Sequence, residues 1–260
     1  MTKKILCLCP TYDRPQRIVE HAIANFRWQH ARDDCYLYIH DDSGLAPNIM
    51  GDRWCITSSE IREPSLPAKY DSMVERAESL FPEWDAIAVW DDDDLYLPWH
   101  LATAQTLLES HDWVHPSYVW SDHDGVANVE SAAGRFHGSL VVRRDLYNSV
   151  GGWLGAQIAG EAQRADFDQR MLSSCETHSE TGRGDPAKSR LSYCFRWGST
   201  RTGHAQGLMR SPSDSSWYTD RPITQTVWSD RPRAKFDVGA MDIARRIMVT
   251  PVDVAARRVV

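Results

Sequence analysis

The chain reads as an α/β protein with a mostly parallel central sheet flanked by helices, plus a smaller second lobe. Three observations predict this. Through residues 1–112, apolar strand-like runs alternate with amphipathic helical segments. The connections between them are short, which implies a doubly wound parallel sheet. From residue 113 the alternation breaks, and long polar stretches containing glycine follow, as expected of loops that complete a site.

The elements can be taken in order. Residues 4–9 form a continuous apolar run, the pattern of a strand covered on both faces. Over 14–29, Ile18, Val19, Ala22, Ile23 and Phe26 share one helical stripe, with Asp13 and Pro15 where a cap and an early-turn proline belong. Residues 35–40 are the next strand and 53–57 a short third. The spacing predicts a helix over 68–81, with Tyr70, Met73, Val74, Ala77, Leu80 and Phe81 facing inward. A buried strand at 85–90 and an amphipathic helix at 99–110 follow. Beyond them, 113–121 and 135–143 read as strands, Arg144–Val150 as a short helix ended by Gly151-Gly152, 160–175 as a helix and 193–197 as a last strand. Residues 177–191 and 198–235 read as irregular.

Composition narrows the function. The 260 residues carry 29 basic and 36 acidic side chains, a formal charge of −7, with 42% hydrophobic residues and a mean hydropathy of −0.48. An acidic balance argues against a main partner made of phosphate backbone, which selects a basic face. The acidic residues are lopsided, 25 Asp against 11 Glu. Aspartate is a poor helix-interior residue but a good turn, cap and metal-ligand residue. The chain is also rich in tryptophan, with 11 residues. No apolar run reaches the roughly 18–20 residues of a membrane span, and the start lacks the long apolar region of a secretory signal. The six cysteines form no C-x-x-C pair, so they read as reduced core thiols of a cytoplasmic protein.

Three polar segments stand directly after apolar strands. Asp91-Asp92-Asp93-Asp94 follows the strand at 85–90, Asp41-Asp42-Ser43-Gly44 follows the second strand, and Pro10-Thr11-Tyr12-Asp13-Arg14-Pro15 closes the first. Open α/β sheets bind ligands beyond the carboxyl ends of their strands. Side chains alternate along an extended chain, so Asp91 and Asp93 are expected to converge. Convergent carboxylates bind hard divalent cations that in turn hold substrate phosphates.

Together the three segments resemble the inverting, family-two type of glycosyltransferase with the GT-A fold. That family opens with P-[ST]-[YF]-[ND]-R-P, ends its second strand in D-D-[GS]-S, and carries D-x-D-D followed by a proline, here Pro98. The resemblance covers roughly residues 3–175. It implies a GT-A-type, Rossmann-like sheet with a nucleotide-sugar-binding half at 1–112, an acceptor-side half with mobile loops at 113–235, and a C-terminal helix or tail at 236–260, all within one domain.

The resemblance also assigns roles. Pro10, Thr11, Tyr12, Arg14 and Asp42 line the nucleoside and donor pocket, with Asp42 accepting hydrogen bonds from the base. Lys69 falls where the family often has a basic residue near the donor; read alone, it is equally a solvated helix-start lysine. Asp91 or Asp92 faces the ribose. Asp93 is the leading metal ligand and Asp94 a second, since the four-residue run leaves the register open by one. In the second half, Phe136 to Ser139, Val142 to Arg144 and Gly151-Gly152-Trp153 resemble segments bordering the acceptor. Asp166 matches the catalytic base of E-D-x-[DE], although Ala165 replaces the usual Glu, so Asp168 or the more remote Glu161 stays open. His204, in a late loop, is a further candidate metal ligand. A nitrogen donor beside carboxylates tilts the cation from Mg2+ toward Mn2+.

The implied activity is metal-dependent, inverting transfer of a sugar from a nucleotide-diphosphate donor, a UDP-sugar by default, to a hydroxyl acceptor. The acceptor is left open among a glycan, a lipid-linked saccharide, a protein and, less favoured by the charge, modified DNA. Alternatives are a nucleotidyltransferase, which wants a glycine-rich basic loop where the chain has PTYDRP, and a catalytically degenerate sugar-nucleotide or glycan-binding module. The expected location is cytoplasmic, with peripheral membrane contact left open by the basic and apolar residues of the final stretch.

Overall fold

The first strand, β1 (Ile5–Thr11), divides its side chains by parity between two cores. A computed structural model describes residues 2–14, 16–81, 83–123, 126–132, 134–158 and 167–196. Ile5, Cys7 and Cys9 pack into one core with Val19, Ala22, Ile23 and Phe26 of α1 (Gln16–Arg27). Leu6 and Leu8 pack into the other. This is why the strand reads as an unbroken apolar run: both faces are covered, and each fully buried aliphatic side chain contributes about 1.5–3 kcal/mol. All six cysteines are free and buried, as the sequence suggests.

The chain continues through β2 (Cys35–Asp41), the hairpin of β3 (Ile49–Met50) and β4 (Trp54–Ser58), then α2 (Leu66–Leu80), β5 (Ala86–Val89), β6 (Leu95–Tyr96) and α3 (His100–Leu107). Helix α2 starts two residues before the expected 68 because Ser65 caps it, its side chain accepting from the Ala68 N–H at 3.2 Å, with Pro67 in the first turn. Tyr70, Met73, Val74 and Ala77 of α2 fill the second core.

The later elements are β7 (Trp113–Val114), β8 (Tyr118–His123), β9 (Val126–Ser131), β10 (Val141–Arg143), α4 (Arg144–Val150), α5 (Gly152–Ile158), α6 (Phe167–His178), β11 (Arg183–Gly184) and β12 (Tyr193–Arg196). The expected strand at 113–121 is in fact two strands in different sheets, parted around Pro116, which has no N–H for a ladder. The expected strand at 135–143 keeps only β10; its front is a single 3-10 turn at His137–Ser139, entered through Phe136 in the left-handed conformation (φ 64°). Helix α6 is described from Phe167 onward, and residues 160–166 of the expected helix lie outside the described residues.

Among the described residues the large sheet has eight strands in the order β11-β7-β10-β5-β1-β2-β4-β3, and the small sheet four in the order β6-β12-β8-β9. The pairings β5-β1, β1-β2 and β2-β4 are parallel, while β10 runs antiparallel to both neighbours. This is the mostly parallel α/β architecture expected. The halves drawn at 112/113 share both sheets: β7, β10 and β11 extend the large one, and β6 belongs to the small one. The proposed tail at 236–260 lies outside the described residues.

Candidate active site

The three polar segments emerge side by side, because their strands are neighbours in the order β5-β1-β2. Thr11 pairs with Asp41 in register, and Leu8 with Val89. All three leave at the carboxyl ends of parallel strands, where this architecture places ligands.

Asp41 and Asp42 do different work. Asp41 closes its own turn, accepting from the N–H groups of Ser43 (3.2 Å), Leu45 (3.0 Å) and Ala46 (2.9 Å). Asp42 faces inward. Its carboxylate is paired with the Lys69 ammonium and accepts from the Glu63 N–H at 3.0 Å. Neither side chain of the pair is exposed. Lys69 also donates to the Thr11 carbonyl at 2.6 Å. Burial lowers the lysine pKa, and Asp42 opposes that shift. The solvated helix-start reading of Lys69 is therefore excluded; it ties the ends of β1 and β2 together. The same geometry gives each Asp42 carboxylate oxygen a protein partner, Lys69 on one and the Glu63 N–H on the other.

The four aspartates also separate. Strand β5 ends at Val89, so the strict alternation that joined Asp91 to Asp93 does not extend through the turn. The structure brings together Asp92 and Asp93. Thr11 Oγ1 donates to Asp92 Oδ2 at 2.7 Å. The Arg14 guanidinium spans the two carboxylates, with Nε 3.2 Å from Asp92 Oδ2 and a terminal nitrogen 3.1 Å from Asp93 Oδ2. Burial opposes the Arg14 charge, but Asp92 and Asp93 outweigh it and raise its pKa. Asp13, just before, holds a left-handed φ of 48°, a conformation asparagine and aspartate tolerate best among residues with a side chain. Tyr12 is half-buried, and the Arg62 guanidinium lies over its ring at 4.3 Å. Pro10 pairs with His40 in the β1-β2 register.

Asp94 is fully buried and accepts from the Tyr193 hydroxyl of β12, while its backbone carbonyl accepts from Asn25 Nδ2 at 3.0 Å. Asp91 is the most exposed of the four. Its backbone N–H donates to the Tyr96 hydroxyl at 2.7 Å, and that hydroxyl donates to the Gly138 carbonyl at 3.1 Å. Gly138 is required here: a Cβ would stand 2.2 Å from Asp91 Oδ2 and 2.6 Å from the Tyr193 hydroxyl. Tyr96, Tyr193 and Arg62 stand at the candidate site without having been singled out from the sequence, whereas Gly138 falls within the Phe136 to Ser139 segment expected to border the acceptor.

Asp166 and His204 lie outside the described residues; Asp168 is on α6, with its side chain outside the description. Among the described residues, no group of three or more His, Cys, Asp or Glu side chains is placed to hold a metal ion. Asp92 and Asp93 still offer the hard oxygen donors that suit a divalent cation bound through one or two carboxylates plus substrate phosphates. No helix among the described residues is long and apolar enough to cross a membrane.

No protein-family model and no curated protein matches the chain. Solved structures do. The fold is the α/β fold of glycosyltransferase structures. TarS of S. aureus, residues 1–349 in complex with UDP-GlcNAc, superposes with a TM-score of 0.56 at 12% identity, over 80% of this chain and 62% of that one. The same TarS fragment in a further crystal structure gives 0.55 at 12% identity, covering 74% and 60%. A mannosyltransferase from Pyrobaculum calidifontis in complex with GDP-Man and Mn2+ gives 0.50 at 14% identity, covering 75% and 57%. This chain thus spans less than two thirds of the length of each.

Proposed function

We propose that the chain is a glycosyltransferase that moves a sugar from a nucleotide-diphosphate donor to a hydroxyl acceptor, with inversion and with a divalent cation. The observation that carries this reading is the meeting of Thr11, Arg14, Asp92 and Asp93 at the ends of β1 and β5, beside the Asp42–Lys69 pair at the end of β2. Support for a nucleotide-sugar donor comes from neighbours of the same fold that hold UDP, UDP-GlcNAc or GDP-Man. A UDP-sugar is the default donor.

In this reading Thr11 and Arg14 orient the Asp92 and Asp93 carboxylates, and Lys69 keeps the β1 and β2 ends in register around the nucleoside. Asp93, with Asp94 and His204 as the further ligands, would hold Mn2+ or Mg2+; the mannosyltransferase of the same fold is in complex with GDP-Man and Mn2+. The bound cation supplies charge neutralisation at the departing diphosphate. Asp166, or else Asp168, removes the acceptor proton on the face opposite the leaving group, which inverts the anomeric centre.

The test is a screen of sugar nucleotides for nucleoside-diphosphate release, with and without Mn2+. Saturable release from one donor, lost in Asp166→Asn or Asp168→Asn, is expected. Binding of a sugar nucleotide without turnover under any condition would point to a binding module instead.

A further inference from the structure

Three consecutive residues of α2 tie it to two other parts of the protein, the ends of β1 and β2 and the start of α5. Lys69 joins the ends of β1 and β2 through the Thr11 carbonyl and Asp42. Tyr70 stacks on the Trp153 indole, ring centroids 4.5 Å apart and planes 20° apart. Asp71 accepts from the backbone N–H groups of Trp153 (2.8 Å) and Leu154 (2.9 Å) and from the Tyr147 hydroxyl (2.7 Å).

Trp153 and Leu154 are in the first turn of α5, where backbone N–H groups have no intrahelical acceptor. Asp71 is therefore a helix cap supplied from another helix. Gly152 makes room for it: a Cβ there would lie 2.6 Å from Asp71 Oδ1, and its φ of 75° suits glycine. From α5 the connection runs on to the acidic turn. The buried Trp153 indole N–H donates to His137 Nε2 at 2.9 Å. His137 precedes Gly138, which backs onto Asp91 and accepts from Tyr96.

We propose that Asp71 is a positioning residue for the transfer reaction. By holding α5 and Trp153 against α2, it sets the spacing between the β2 end of the cleft, fixed by Lys69, and the β5 end, fixed through His137 and Gly138. Its carboxylate oxygens are taken up by Tyr147 of α4 and by the backbone of α5. The inference rests on the glycosyltransferase reading above. Misplacement within a preorganised site costs rate more than binding, so the two ends keep their own contacts while their mutual geometry slips.

The experiment compares full-length wild type with Asp71→Asn, and with Trp153→Phe in case the first variant does not fold. UDP affinity in the presence of Mn2+ is measured by calorimetry, and nucleotide release is measured well below the melting temperature. UDP affinity within about twofold of wild type is expected, with kcat reduced about tenfold or more in both variants. A parallel loss of UDP affinity and rate overturns the proposal, as does an unchanged rate with only a lowered melting temperature. Amide exchange at Trp153 and Leu154 separates the two possible failures. Faster exchange in Asp71→Asn, with a wild-type chain that releases nucleotide from no sugar nucleotide, overturns the glycosyltransferase reading and the rate role while leaving the clamp. Unchanged exchange overturns the clamp itself.

Discussion

Lys69 and Asp42 form an ion pair in which neither side chain has any exposure to solvent. Removing one partner of such a pair strands the other charge in a low-dielectric interior. Lys69→Met is expected to destabilise the fold by about 3–5 kcal/mol, and Lys69→Met with Asp42→Leu by less than the single change. Denaturant melts of the two variants check this. A double variant as damaged as the sum of its parts contradicts the pairing.

Arg14 reaches Asp92 and Asp93 through two different nitrogens of one planar group. A lysine ammonium is a compact point charge and does not span both. Arg14→Lys is therefore expected to lose stability on the scale of Arg14→Met, about 2–4 kcal/mol. The comparison is made by chemical denaturation. A lysine variant matching wild type shows that charge alone suffices.

Gly138 lies under Asp91 and Tyr193 with no room for a methyl group. Gly138→Ala is expected to cost about 1–3 kcal/mol through forced displacement of its neighbours. It also lowers nucleotide release, because Asp91 and the Tyr193 contact to Asp94 move. Melting temperature and release rate together test this, and an unperturbed variant contradicts the packing described.

His137 makes stability depend on pH. Burial lowers its pKa to about 3, and the nearby His115 pushes the same way. Its Nε2 must be unprotonated to accept from Trp153. With the folded pKa below the unfolded value near 6.5, the unfolded chain binds the proton more readily as pH falls. The stability held by neutral His137 is therefore complete above about pH 6.5 and is lost progressively on acidification toward the folded value, by about 2 kcal/mol between pH 7 and 5. Unfolding free energies at the two pH values, for wild type and His137→Gln, check it. The variant is expected to have the shallower slope, and equal slopes contradict the assignment.

The acidic run at 91–94 stood out in the sequence because four like charges directly follow a buried strand. Its internal division was not legible. Tyr193 stands 99 residues from Asp94, and Thr11 stands 81 from Asp92, so no local pattern names these partners. Lys69 misleads in the opposite way: its place in a helix's first turn permits a solvated reading, and only the packing of α2 on β1 and β2 buries it. The run from 113 to 121 likewise looks uniform until Pro116 sends its two parts into different sheets.

Local physics settled a good deal by itself. Side-chain parity and helical stripes determined which faces are buried, and strand-end chemistry determined where polar groups gather. Both depend on neighbours a few residues apart, which a linear pattern records. Tertiary structure alone decided that Asp42 turns to Lys69, that Arg14 joins Asp92 to Asp93, that Tyr193 takes Asp94, and that Asp71 caps α5. Each of these joins groups brought together by chain folding, and each is set by the need to satisfy a buried charge or an orphaned N–H with whatever partner the packed layers deliver.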